Sequence, residues 1–249
     1  MFKSIELFQK IFLVIPGAYF GLLCSFIFGI TVSTGLLFQI LEDPTFSIFT
    51  RWISHLSIGC EISRLCFLIG LCVGSCFNLI FENFVINQFF YQKENNQIIL
   101  ILYGAAFIQS LGCFFAGIFP LSLQLLHGFA ANLYFYGALT FYSGLFFLII
   151  KSRRCFRRIL FFCSICIINT TLLLIVNIYC SIIANPFAVY TNYFLEWMTF
   201  ISYLSANIVI ALEFVQEKKP KNKEILKQRN GIKKPIILFP IETMIVENK

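Results

Sequence analysis

The chain has 249 residues, a net charge of +7, and a composition that excludes an ordinary soluble domain. Hydrophobic residues make up 59% of it and charged residues only 12%, whereas soluble domains carry about 25% charged residues. Its long apolar runs reach the roughly 20 residues that a helix needs to cross a bilayer. The composition therefore predicts a single all-α, polytopic membrane domain.

A basic octet at residues 151–158 predicts the orientation of this domain. Five of its eight residues are basic, none is acidic, and a long apolar run lies on each side. Lys and Arg concentrate in short loops on the cytoplasmic side of a membrane. We therefore expect the octet to be a cytosolic turn.

The apolar runs predict six transmembrane helices in one bundle, with both termini cytosolic. Their expected bounds are 11–41, 58–81, 98–119, 125–150, 159–184 and 194–212. Residues 82–97 are predicted to form a polar cytosolic loop.

These runs place the membrane domain at residues 1–214 and a cytosolic tail at 215–249. The tail has nine basic and four acidic residues and is expected to be mostly disordered. The basic excess flanks the membrane, which favours contact with anionic lipid head groups over nucleic-acid binding.

Four ionisable residues, Glu61, Arg64, His127 and Glu196, lie near the starts of the second, fourth and sixth spans. All three starts are on the predicted lumenal side. Charged groups inside spans are costly, face the bundle interior or a wet cavity, and often mark function. Structural roles are the alternative: Glu61 and Arg64 could pair on one helix face, His127 could be hydrogen-bonded at a helix start, and Glu196 could reach the lumenal interface.

Several kinds of active site do not fit the sequence. The chain has only two histidines, which disfavours a multi-histidine zinc site, and it lacks a G-x-S-x-G elbow and a phosphate-binding glycine-rich loop with lysine. We expect no metal and no cofactor. If the protein is an enzyme, we expect His127 to act as the base and Glu196 to orient it. His55 lies in a polar loop and receives less weight.

The same residues give the chain a family resemblance. It carries N-I-Y-C at 177–180, V-Y-T at 189–191 and L-E-W at 195–197, together with a Gly-Cys-Glu stretch ending at Glu61 and the histidine at 127. This series resembles the six-span family that contains the Golgi post-GPI-attachment remodelling factors and the damage-regulated autophagy modulators. The first two motifs are closer to the remodelling branch. Family members usually carry an acidic residue after the histidine, where this chain has Gly128.

The resemblance implies fatty-acid remodelling of GPI anchors, in association with the reacylation of lyso-GPI, as catalyst or accessory factor. The implied partners are GPI-anchored proteins or their lipid, and the implied location is the Golgi membrane, with the ER, lysosomal and plasma membranes as alternatives. A non-catalytic lipid-organising or adaptor protein is the competing interpretation. The expected catalytic residues are His127 and Glu196, and the expected lipid-binding or supporting residues are Glu61, Arg64, Asn177, Tyr179 and Trp197.

Overall fold

A computed structural model describes residues 16–90, 96–151, 156–183 and 186–231. The described residues form six α-helices, one short 3₁₀-helix and no strand. The α-helices are α1 (Ala18–Glu42), α2 (Glu61–Phe90), α3 (Asn96–Ile118), α4 (Gln124–Lys151), α5 (Arg157–Ile182) and α6 (Pro186–Gly231), and the 3₁₀-helix is Ile53–Ile58.

All six α-helices are long and apolar enough to cross a bilayer. Their candidate spans run from 22 to 30 residues, which covers the roughly 20 residues that a hydrocarbon core requires. The prediction of an all-α, polytopic protein with six transmembrane helices is therefore confirmed. The nine described cysteines are all free.

Two glycines let α3 and α4 approach at their backbones. A side chain at Gly112 would meet the backbone of α4 at Tyr134, and one at Gly137 would meet the backbone of α3 at Gln109. Small residues allow this close packing within membranes, where van der Waals contact replaces the hydrophobic effect as the main attraction between helices.

Polar side chains connect α6 to its neighbours. The hydroxyls of Tyr203 on α6 and Thr170 on α5 are 2.6 Å apart. On the same helix, Asn207 accepts a hydrogen bond from Tyr142 of α4 and donates one to Asn78 of α2, each at 2.9 Å. Because four helices meet in these contacts, α6 holds a central place in the bundle.

Residues 43–60, which we call the cap segment, fold back onto the bundle between α1 and α2. Leu56 is fully buried and Phe46 and Ile53 nearly so, in one cluster with Phe67 of α2 and Trp197 of α6. The end of the bundle that this segment covers is called the cap end below. It contains the first residues of α2, α4 and α6.

Three sequence predictions differ from the structure. The loop predicted at 82–97 is wrong over 82–90 and 96–97, because α2 continues to Phe90, Glu82 has no exposed surface and α3 begins at Asn96. Two side-chain amides of this segment allow the helix to continue. Those of Asn83 and Asn87 donate to helix carbonyls one turn earlier, at 2.6 and 2.9 Å. The sixth helix starts at Pro186 and not at 194.

The sixth helix also continues to Gly231, so residues 215–231 are helical where disorder was expected. The described residues 16–213 and 214–231 belong to two separate units. Both chain termini, at 1–15 and 232–249, and half of the basic octet, at 152–155, lie outside the described residues. The predicted orientation of the bundle remains a prediction.

Candidate functional site

A cavity of about 580 Å³ lies at the cap end, between α4, α5, α6 and the cap segment. Apolar residues such as Ile58, Phe135 and Leu173 form much of its wall. Its polar lining residues are Ser54, His55, Ser122, Gln124, His127, Asn132, Asn177, Asn192 and Glu196. An apolar pocket with a few convergent polar groups is the usual form of a small-molecule site.

His127 lies on the first turn of α4 and is 5% exposed. Its Nδ1 lies 2.6 Å from the carbonyl oxygen of Phe119, at the end of α3. A carbonyl can only accept a hydrogen bond, so Nδ1 carries the hydrogen. Nε2 is then the basic nitrogen of the neutral ring.

Glu196 is partly buried on α6 and is bonded to the cap segment. Its Oε2 accepts a hydrogen bond from the amide of Ile53 at 3.1 Å. The amide and hydroxyl of Ser54 lie within hydrogen-bonding reach of the same carboxyl. These donors fix the carboxyl group on the cavity wall.

The structure brings the predicted pair, His127 and Glu196, to one cavity, and their catalytic pairing stays a prediction. Both residues line the cavity and a smaller inner chamber of about 50 Å³. No hydrogen bond joins them, however, because the Phe119 carbonyl holds the imidazole and the cap segment holds the carboxyl. Sequence reasoning missed this arrangement because backbone carbonyls and amides leave no side-chain signal.

Two further predicted residues lie at the cavity or its cap. Asn177 of α5 lines the cavity, and its Oδ1 accepts a hydrogen bond from Asn192 at 3.4 Å. Trp197 is buried beneath the cap segment, where its indole N–H donates to the carbonyl of Arg51 at 2.9 Å. Trp197 therefore attaches the cap and does not line the cavity.

The other three predicted residues lie away from the cavity. Glu61 and Arg64 are both exposed at the start of α2 and, within the described chain, form no ion pair with each other. Tyr179 is 43% exposed and does not line the cavity. Glu61 and Arg64 therefore do not line the candidate cavity.

His55, which sequence reasoning had given less weight, also lines the cavity, so both histidines of the chain do. Its Nδ1 accepts the backbone N–H of Trp52 at 3.1 Å, which leaves the hydrogen of the neutral ring on Nε2. Burial, together with the positive charge of Arg51, lowers the pKa of His55 below its ordinary value. His55 is therefore neutral at pH 7.

Aromatic rings gather around the cavity mouth at the cap end. Tyr193 packs edge-on against Trp52, with ring centroids 5.0 Å apart, and against His55 at 6.2 Å. Phe49 and Phe194 stack at 5.7 Å. Trp and Tyr are enriched where a membrane protein meets the lipid head groups. The ring cluster is therefore typical of a membrane interface.

Fold and site together define a polytopic membrane protein with a polar-lined cavity at one end of its helix bundle. Comparison with known proteins finds no matching family model, no matching curated protein and no matching solved structure. The resemblance to the GPI-remodelling family thus stays a prediction from sequence motifs.

Proposed function

We propose that the protein remodels the acyl chains of GPI-anchor lipids in the Golgi membrane, by returning a fatty acid to a lyso-lipid. The observation that carries this proposal is the convergence of His127 and Glu196, from two separate helices, on one cavity at the cap end. A neutral imidazole is the usual general base for activating a hydroxyl.

In this proposal, Nε2 of His127 removes the proton from the free hydroxyl of the lyso-lipid. The hydroxyl oxygen then attacks the carbonyl carbon of an ester or thioester donor, and the departing group takes the proton back from the imidazolium. The carboxyl group of Glu196 would stabilise the positive ring through the shared cavity.

The lining of the cavity is suited to bind the uncharged part of the lipid. The lining residues of the described chain include no Lys or Arg, whereas phosphate sites usually have basic side chains. Asn192 adds a buried Oδ1 without a hydrogen-bond partner among the described residues, which is suited to accept the hydrogen bond of a hydroxyl. We therefore place the glycerol hydroxyl and acyl ester inside the cavity and the phosphate outside it.

The test is complementation in cells that lack their own GPI-remodelling factor. The acyl chains on a GPI-anchored reporter are determined after expression of the wild-type chain, His127→Ala or Glu196→Gln. We expect the wild type to restore saturated chains and each variant to restore at least tenfold less, because general-base catalysis contributes about 10²–10⁴-fold.

Asn169→Gln on α5 is a suitable matched control, because Asn169 is a span residue that does not line the cavity. All forms must reach the Golgi at equal abundance. Full restoration by His127→Ala or Glu196→Gln would reject the catalytic roles. Failure of the wild type to restore saturated chains would favour the non-catalytic lipid-organising or adaptor alternative.

A further inference from the structure

Glu82 of α2 is a buried acid that the candidate cavity does not use. It lies 21 residues beyond Glu61 on the same helix, which is about 30 Å along the axis. The side chain has no exposed surface, and neither carboxyl oxygen has a hydrogen-bond partner of good geometry among the described residues. Acids inside membrane helices are costly and commonly functional.

A directed chain of hydrogen bonds leads to Glu82 across three helices. The hydroxyl of Tyr142 donates to Oδ1 of Asn207 at 2.9 Å, and Nδ2 of Asn207 donates to Oδ1 of Asn78 at 2.9 Å. Asn78 lies one helical turn before Glu82, and its side chain is the polar group that faces the carboxyl. Each donor is oriented towards the acid, and the hydrogen bonds of good geometry end at Asn78, beside the carboxyl.

The other titratable groups near Glu82 do not supply a positive charge. Those close enough to respond to a charge on it are Cys24 of α1, Cys113 of α3, Tyr134 and Tyr142 of α4, and Tyr203 of α6. Thiols and phenols are neutral at pH 7. A carboxylate here would thus lack a counter-ion among the described residues, and its burial would be strongly unfavourable.

A proton fits the site better than a metal ion. The described residues contain no group of three acidic, histidine or cysteine side chains that could hold a metal ion. Hard cations such as Ca²⁺ need at least six oxygen ligands, whereas a carboxyl group becomes neutral with one proton. Among the described residues, the polar group that faces the Glu82 carboxyl is one side-chain amide, that of Asn78.

Two small chambers with shared wall residues lie between Asn78 and the candidate cavity. The chamber of about 50 Å³ shares His127 and Glu196 with the cavity, and it shares Tyr134 and Phe200 with a chamber of about 10 Å³. The smaller chamber is lined by Asn78, Asn207 and Gln109, whose buried Oε1 lacks a partner among the described residues. Its volume fits about one water molecule.

We propose that Glu82 is a proton-binding site in the interior of the membrane domain, and that its proton exchanges with the cap end through water held in these chambers beside Asn78 and Asn207. This site is independent of the proposed acyl transfer. The packing of α2 against α6 would then depend on whether the Glu82 carboxyl is protonated.

The test is infrared spectroscopy of the full chain in lipid bilayers at neutral pH. We expect the difference spectrum between the wild type and Glu82→Gln to contain the carbonyl stretch of a protonated carboxylic acid. Glu196→Gln, which changes another acid of the candidate spans, should keep this component. Absence of this component from the difference spectrum would overturn the proposal.

The exchange route is tested by the rate at which D₂O shifts the same band. Gln109→Leu should slow the shift at least tenfold, because it removes the polar group that can hold water in the smaller chamber. Ser110→Ala is the control, since Ser110 is buried on the same helix but lines neither chamber. An unchanged rate in Gln109→Leu would overturn the route.

Discussion

The candidate site depends on backbone groups that hold its two ionisable side chains. The Phe119 carbonyl fixes the ring of His127, and the Ile53 amide fixes the carboxyl of Glu196. The sequence pointed to both side chains because ionisable groups are rare within apolar spans. Their partners were not predictable, because any residue can supply a backbone carbonyl or amide.

Two substitutions of Glu196 separate its charge from its structural contact. Glu196→Gln keeps an oxygen acceptor for the Ile53 amide, so the cap segment should stay attached while the charge is lost. Glu196→Ala leaves this amide without its acceptor, which costs about 1–3 kcal/mol. The emission of the two tryptophans measures the difference, because Trp52 lines the cavity and Trp197 holds the cap.

We expect unchanged emission in Glu196→Gln and red-shifted emission in Glu196→Ala. Equal emission spectra for all three forms would show that the Ile53 contact does not hold the cap segment in place.

His55 should make the cap segment sensitive to acid. Its pKa is lowered in the folded protein, first by burial and then by the charge of Arg51. As the pH falls below about 6.5, the unfolded segment therefore takes up a proton more readily than the folded one. The stability that the neutral ring contributes is present above that pH and is lost below it.

Hydrogen exchange at the Trp52 amide, which donates to His55, measures this loss. After correction for intrinsic rates, we expect protection to fall between pH 7 and pH 5 in the wild type. A His55→Gln variant should show little pH dependence. A wild-type profile that is flat over this range would contradict the expected role of His55.

At the scale of the helices, the sequence predicted six spans but misplaced several ends. Run length and mean hydropathy located the spans, since lipid requires long apolar helices. The end of α2 was missed because Glu82 and its neighbouring asparagines resemble a loop in composition. The side chains of Asn83 and Asn87 bond within the helix, and Tyr103 of α3 donates to Asn87 at 3.0 Å.

Packing of α3 against α4 should depend on Gly112 much more than on Gly104 of the same helix. A methyl group at Gly112 would collide with the backbone of α4, whereas one at Gly104 meets nothing within 4 Å. Gly112→Ala should therefore destabilise the bundle by about 1–3 kcal/mol. Gly104→Ala should be neutral or stabilising by up to about 1 kcal/mol. Thermal unfolding in detergent compares the two variants, and equal loss of stability would contradict the close backbone contact.

At the scale of the whole molecule, six crossings should place both termini on the same face of the membrane. The basic octet predicts that this face is cytosolic. Epitope tags at each end, probed in cells whose plasma membrane alone is permeabilised, measure this orientation. We expect antibody to reach both tags. Access to only one of them would contradict six crossings, and access to neither would reverse the predicted orientation.

Acyl transfer by the purified chain tests the account most directly. The protein is placed in bilayers that contain lyso-phosphatidylinositol and a labelled acyl donor, offered as a phospholipid and as a thioester. We expect labelled diacyl product with the wild type and a loss of at least tenfold with His127→Ala and with Glu196→Gln. No product above protein-free bilayers, or equal product from all three forms, would contradict a catalytic site in the cap-end cavity.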